Sequence, residues 1–115
     1  MNRAYVGFID RGWERRVLVL PLEAGVGYPL PLRLDLQNHS PTGFAWGYGG
    51  SGPAQLALAI LADHLGDDAR AARLHQRFKW RAIGPLNGDA GFVLTGKEVA
   101  AHVAALDEAP PDEAA

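Results

Sequence analysis

The sequence predicts an α+β fold: a small antiparallel sheet packed against a buried central helix, with two further helices. Three observations carry that expectation. Residues 3–9 and 13–20, rich in β-branched and aromatic types, flank the turn signal Asp10-Arg11-Gly12 and read as a hairpin. Residues 54–65 are apolar nearly all round, follow a proline and stop at Gly66, the pattern of a helix buried in a core. The capping box Thr95-Gly-Lys-Glu98 opens another helical pattern directly after a short apolar run.

Taken in chain order, the loop signals of 21–31, with Gly25 and Gly27, separate the hairpin from an alternating stretch. There Leu30, Leu32, Leu34 and Leu36 interleave with Pro31, Arg33, Asp35 and Gln37, which predicts a strand at a sheet edge because proline cannot donate to a ladder. Residues 38–52 are irregular. Pro53 suits the first helical position, where its missing N–H has no partner to lose. Gly66 can adopt the left-handed conformation that ends a helix, and Asp67 or Asp68 then caps a second helix to about Phe78. Residues 79–85, with Trp80 and Ile83, read as a strand that returns through the Asn87-Gly88-Asp89 turn to Phe92-Val93-Leu94. The third helix, 96–106, carries Val99, Val103 and Leu106 on one stripe.

With 115 residues the chain is read as a single domain over 1–106 and a disordered acidic tail over 107–115. The tail holds four of the thirteen acidic residues and no base, so the overall charge of −2 becomes +2 for the first 106 residues. That mild excess is far from the strongly basic balance of a dedicated nucleic-acid binder. There are no cysteines, which excludes disulfides and thiolate chemistry. No apolar run approaches the ~20 residues needed to span a bilayer, and the reading is a cytoplasmic protein without a membrane partner.

The most unusual stretch is GFAWGYGGSGPAQL, residues 43–56, with five of the fourteen glycines in its first ten positions. Gly47-x-Gly49-x-x-Gly52 matches the dinucleotide fingerprint literally, but a helix rather than a second parallel strand follows the helix it precedes. No Gly-Lys-Ser/Thr ending is present for a nucleotide P-loop, and proline replaces the last glycine of a nucleophile elbow around Ser51. Two readings of the loop remain open. In one, Gly52 is an N-cap without a side chain, so the first helical N–H groups and the positive dipole end attract an anion. Gly49, Gly50 and Gly52 admit a ligand to the backbone, Ser51 lies among them, and Trp46 and Tyr48 offer stacking faces. His39 stands close enough in sequence to share the pocket. In the other reading the loop is only a sharp turn, Gln55 reaches back to the Gly52 N–H, and the aromatics are core. Arg70, Arg73, Arg77 and Arg81 form one stripe if the second helix persists, either tracking phosphates or facing solvent.

The segment LDLQNHSPTGFAWGYGGSGPAQLALAILADHLGD, 34–67, resembles a family of short uncharacterised proteins of bacteria, plasmids and phages. Its hallmark block has the form Phe-x-Trp-Gly-Tyr-Gly-Gly-Ser-Gly-Pro-x-Gln-Leu-Ala-Leu, and FKWRAIGPLNGDAGFVL, 78–94, is similar to the family's second half. The resemblance implies a domain of unknown function and supplies no mechanism. An acid that members carry at the position of Ala45 is missing here. The functional expectation is a non-catalytic module that holds a nucleotide or nucleic-acid phosphate at the glycine loop, with no cofactor and no metal. The competing expectation is a protein-interaction module using the 30–36 edge and the loop.

Overall fold

A computed structural model describes residues 2–108, so most of the acidic tail, 109–115, lies outside the described residues. Four strands, β1 (Arg3–Ile9), β2 (Arg15–Pro21), β3 (Tyr28–Pro29) and β4 (Phe92–Thr95), form one antiparallel sheet in the order β3-β2-β1-β4. The helices are α1 (Ser51–Leu65), α2 (Asp68–Phe78) and α3 (Gly96–Glu108), and a π-helical turn, Lys79–Ile83, continues α2. The fold is therefore α+β, with the sheet packed against helices. Among the described residues no helix is long and apolar enough to cross a membrane.

The hairpin forms where its turn residues dictate. Asp10 Oδ1 accepts from the N–H groups of Gly12 and Glu14 at 2.8 and 3.0 Å, while the Trp13 N–H reaches the Asp10 carbonyl at 3.0 Å. Trp13 takes a φ of 65°, so β2 begins at Arg15 and not at 13. The register pairs Tyr5 with Val19 and Leu94, and Gly7 with Val17 and Phe92. These residues face the helices; the Phe92 ring lies against Gly7, where an added Cβ would sit 2.1 Å from it.

Helix α1 is buried from Gly52 to Ala62, and its apolar residues share one core with Tyr5, Val17, Val19, Phe92 and Leu94. Its far end is clamped to the sheet by Asp63. That carboxylate accepts from Tyr5 Oη at 2.6 Å, Tyr28 Oη at 2.5 Å and the Arg3 guanidinium at 2.7 Å. Burial opposes its ionisation, but the hydrogen bonds from Tyr28, Tyr5 and Arg3 outweigh burial and hold it below the ordinary carboxylate range. Gly66 ends the helix at φ 63° and bonds back to the Ala62 carbonyl at 3.2 Å. Asp67 caps α2 by accepting from the Arg70 N–H at 3.0 Å. Before α3, Glu98 Oε1 accepts from the Thr95 N–H at 3.0 Å, and Thr95 Oγ1 accepts from the Glu98 N–H at 3.1 Å. Both halves of the capping box are present.

Several expectations are corrected. The 30–36 strand does not form: only Tyr28 and Pro29 pair with β2, and Leu30 adds one bond to the Val17 carbonyl at 3.0 Å. Pro31 then removes the next donor and Arg33 turns the chain at φ 57°, its guanidinium held by Asp35 and Asp68. No strand edge is therefore present over 30–36. Residues 79–83 are π-helical, not a strand, with the Gly84 N–H on the Lys79 carbonyl at 2.8 Å. That continuation buries Ile83 and Ala82, whereas β4 pairs with β1, so the 80–94 hairpin is replaced by a longer return. Helix α1 starts at Ser51 with Gly50 as N-cap, two residues earlier than Pro53 suggests, and α3 runs through Asp107 to Glu108. Proline within the first turn forfeits no intrahelical bond, so Pro53 is compatible with the earlier start.

Candidate site at the start of helix α1

The glycine loop is anchored from beneath. Trp46 is 1% exposed; its Nε1 donates to the Ala90 carbonyl at 2.7 Å and its ring meets Phe92 edge-on at 4.9 Å. The expected stacking face at Trp46 is thus sealed in the core. Gly47 holds φ 91° and donates to the Ile83 carbonyl at 3.1 Å, so close to Gly88 that a Cβ would come within 2.5 Å of that backbone. Here the glycine is required twice, by conformation and by space.

The next glycines are covered by rings. A Cβ on Gly49 would lie 2.1 Å from Trp80, and one on Gly50 would lie 2.4 Å from Tyr48. These glycines let two aromatic rings rest on bare backbone, and both rings remain largely in solvent, Tyr48 at 55% and Trp80 at 64% exposure. Lys79 is buried at 7% exposure, with Nζ 3.2 Å from the Gly49 carbonyl and 4.6 Å from the Trp80 ring centre. Gly52 packs on Ala45, where a Cβ would meet the alanine methyl at 2.7 Å.

At the helix start itself, the Ala54 N–H is taken by the Gly50 carbonyl at 3.1 Å, the ordinary first bond of the helix. Pro53 has no N–H. Among the described residues, the N–H groups of Ser51 and Gly52 bond no acceptor, and Gly50 supplies no side-chain cap. Ser51 is exposed. One unpaired donor on the exposed Ser51, a second on the buried Gly52, the positive end of a 15-residue helix and two exposed rings therefore lie together.

Gln55 and His39 lie elsewhere. Gln55 is fully buried and spans the 32–40 loop with all four amide bonds. Its Oε1 accepts from the N–H groups of His39 and Ser40 at 2.7 and 3.0 Å, and its Nε2 donates to the Leu32 and Gln37 carbonyls at 2.6 and 3.1 Å. It makes no half capping box. The His39 imidazole is spent on His75, the two Nε2 atoms 2.9 Å apart. His75 Nδ1 lies 2.6 Å from the Ala72 carbonyl, which can only accept, so that nitrogen carries the proton and Nε2 accepts from His39. Burial first, then the nearby His39 and Lys79, hold His75 below the ordinary imidazole range against the opposing Ala72 bond.

The arginine stripe is real in spacing but mostly committed to α3. Arg70 pairs with Asp107, Arg77 donates to the Leu106 carbonyl at 2.7 Å, and Arg81 Nε donates to His102 Nδ1 at 3.1 Å. Of the four, Arg73 alone shows no such bond among the described residues, and it stands exposed. The stripe is chiefly a seam between helices, so it offers phosphates little. Sequence reasoning missed Trp80 and Lys79, because a strand reading scatters side chains that a π turn presents together over Gly49. The available signal was the unbroken run of helix-compatible residues from 68 to 83.

A family model described as "Family of unknown function (DUF6166)" matches residues 11–105. The chain belongs to this family. The DUF6166 match takes in β2 to α3 and thus contains the glycine loop, the Gln55 clamp and the Lys79–Trp80 turn together. No curated protein and no solved structure matches the chain.

Proposed function

We propose that this DUF6166 chain is a non-catalytic binding module that holds an anionic, ring-bearing ligand, a nucleotide or nucleic-acid phosphate, at the start of α1. The observation that carries the reading is the pair of exposed rings, Tyr48 and Trp80, resting on Gly50 and Gly49 beside the unpaired N–H of the exposed Ser51 at the helix start. Exposed aromatic faces stack on bases, and open amides at a helix start favour a phosphate. Lys79 adds a cation behind the loop. Trp46 and Gln55 serve as supports that fix the loop rather than as ligand contacts. A cytoplasmic setting and a role in phage- or plasmid-borne systems belong to the same proposal, the latter resting on the resemblance of 34–67.

The test is thermal denaturation with ATP, polyphosphate and a short single-stranded oligonucleotide. A ligand that binds only the folded chain stabilises it by about 2.7 kcal/mol at one hundred times its Kd. The expected result is an upshift with at least one ring-bearing ligand that Tyr48→Ala or Trp80→Ala abolishes. Both rings are exposed, so each variant stays folded. No upshift with any ligand, or an upshift indifferent to both substitutions, refutes the proposal.

A further inference from the structure

The helices cover one face of the sheet, and the opposite face is unusually apolar. Strand alternation turns Val6, Phe8, Leu18, Leu20 and Val93 outward, and the register sets Val6 directly between Leu18 and Val93. Phe8 is 36% exposed, Leu20 37% and Val93 59%. A sheet with one solvated face normally alternates apolar inward and polar outward. Here, of the outward positions 4, 6, 8, 16, 18, 20, 93 and 95, only Arg16 is charged; it lies at one end and is held by Asp10 at 2.8 Å. Leu22 and Val26, both exposed, extend the apolar surface past Leu20, on which Gly27 packs closely.

We infer that this face is the contact between two copies of the chain, packed sheet against sheet about a two-fold axis. The charge pattern favours a like partner. The one cation on the patch, Arg16, stands at its end and is held by Asp10, which offers a phosphate polymer or an anionic membrane little, whereas an almost uncharged face brought against itself needs no complement. Shape agrees, since a twisted sheet meets a second sheet in aligned packing. Edge-to-edge addition is blunted on both sides. β3 is two residues long and ends in Pro29, and on β4 the Thr95 N–H is already held by Glu98. The area suits a weak dimer. Four strands at ~4.8 Å spacing and seven residues at ~3.3 Å rise bound a rectangle of roughly 440 Å². The strands hold only twenty residues, which reduces this to roughly 320 Å², and with the exposed Leu22 and Val26 added the patch is the size of a small, weakly held interface. The helices on the far side close the assembly at two.

Sedimentation velocity of the full chain across the micromolar range tests this, with Val93→Lys and Leu20→Lys as variants. Both positions point outward, and circular dichroism checks that each variant keeps its fold. The expected result is a mass rising from monomer to dimer with concentration, on the order of a micromolar dissociation constant, and both lysine variants remaining monomeric. A wild-type chain that stays monomeric throughout overturns the inference. So does a dimer that both variants preserve, which places the contact on another face, and so does a monomer that binds neutral lipid vesicles through this patch. The glycine loop takes no part, so ligand binding and dimerisation fail independently.

Discussion

Replacing Gln55 by alanine removes the link that ties the 32–40 segment to helix α1. Four hydrogen bonds disappear, and with them the partners of the His39 and Ser40 N–H groups and of the Leu32 and Gln37 carbonyls. A hydrogen bond contributes about 0.5–1.5 kcal/mol net, and a buried group left without a partner costs about 1–3 kcal/mol. Water can reach part of the loop, since His39 and Ser40 are only half-buried, which keeps the total below the simple sum. We expect a loss of about 3–5 kcal/mol, a large share of the roughly 5–15 kcal/mol that holds an ordinary domain. Gln55→Glu should be as damaging at neutral pH. Its carboxylate still accepts from two N–H groups but faces the Leu32 and Gln37 carbonyls with no proton to donate. Urea denaturation of both variants measures this directly. A loss under about 1 kcal/mol for the alanine variant would mean that the loop holds its shape without the amide, and the account of this clamp would be wrong.

Stability should also fall in mild acid. His75 is held low by burial, then by His39 and Lys79, against its bond to Ala72; His64 is held low by burial and Arg3 against Asp63; His102 is held low by burial and Arg81 against Glu98. Each folded-state pKa lies below the unfolded value near 6.5, so the unfolded chain binds more protons as pH drops. Their stabilisation is complete above pH ~6.5 and is lost as pH falls through the lower folded values, with Asp63 adding a second loss below its usual range. A urea midpoint that stays level or rises between pH 7.5 and pH 5 would contradict this (pH values chosen to bracket ~6.5). The glycines separate by the same reasoning. Gly47→Ala drives a Cβ into the Gly88 backbone at positive φ and should cost about 3 kcal/mol. Gly49→Ala meets the exposed Trp80 ring first, which can swing away, so about 1 kcal/mol is expected together with altered tryptophan fluorescence. Equal costs at the two positions would refute the distinction.

Local rules were readable along the chain where one or two neighbouring residues decide the outcome. Asp10 builds its turn from its own next four residues, Gly66 ends α1 by conformation, and Thr95 and Glu98 close a capping box three residues wide. The α+β architecture follows from these signals and from the buried character of 54–65. The same rules misread 30–36 and 79–83. Leucine alternation predicted a strand, but Pro31 and the pull of Gln55 shape that segment, and no periodicity reports a hydrogen bond to a helix further along. Residues 79–83 include the strand-favouring Trp80 and Ile83, yet continuing α2 lets Ile83 and Ala82 enter the core.

By itself the sequence determined where the chain turns, caps and stops, and that a glycine-rich backbone precedes the most apolar helix. Tertiary structure alone decided which aromatic is buried and which is offered: Trp46 fills the core, whereas Tyr48 and Trp80 lie open on Gly50 and Gly49. It also decided that Gln55 binds backbone 15–23 residues away instead of its own helix start. The physical reason is range. Caps and turns are settled by contacts a few residues apart, while burial and the pairing of a buried amide depend on segments that only folding brings together.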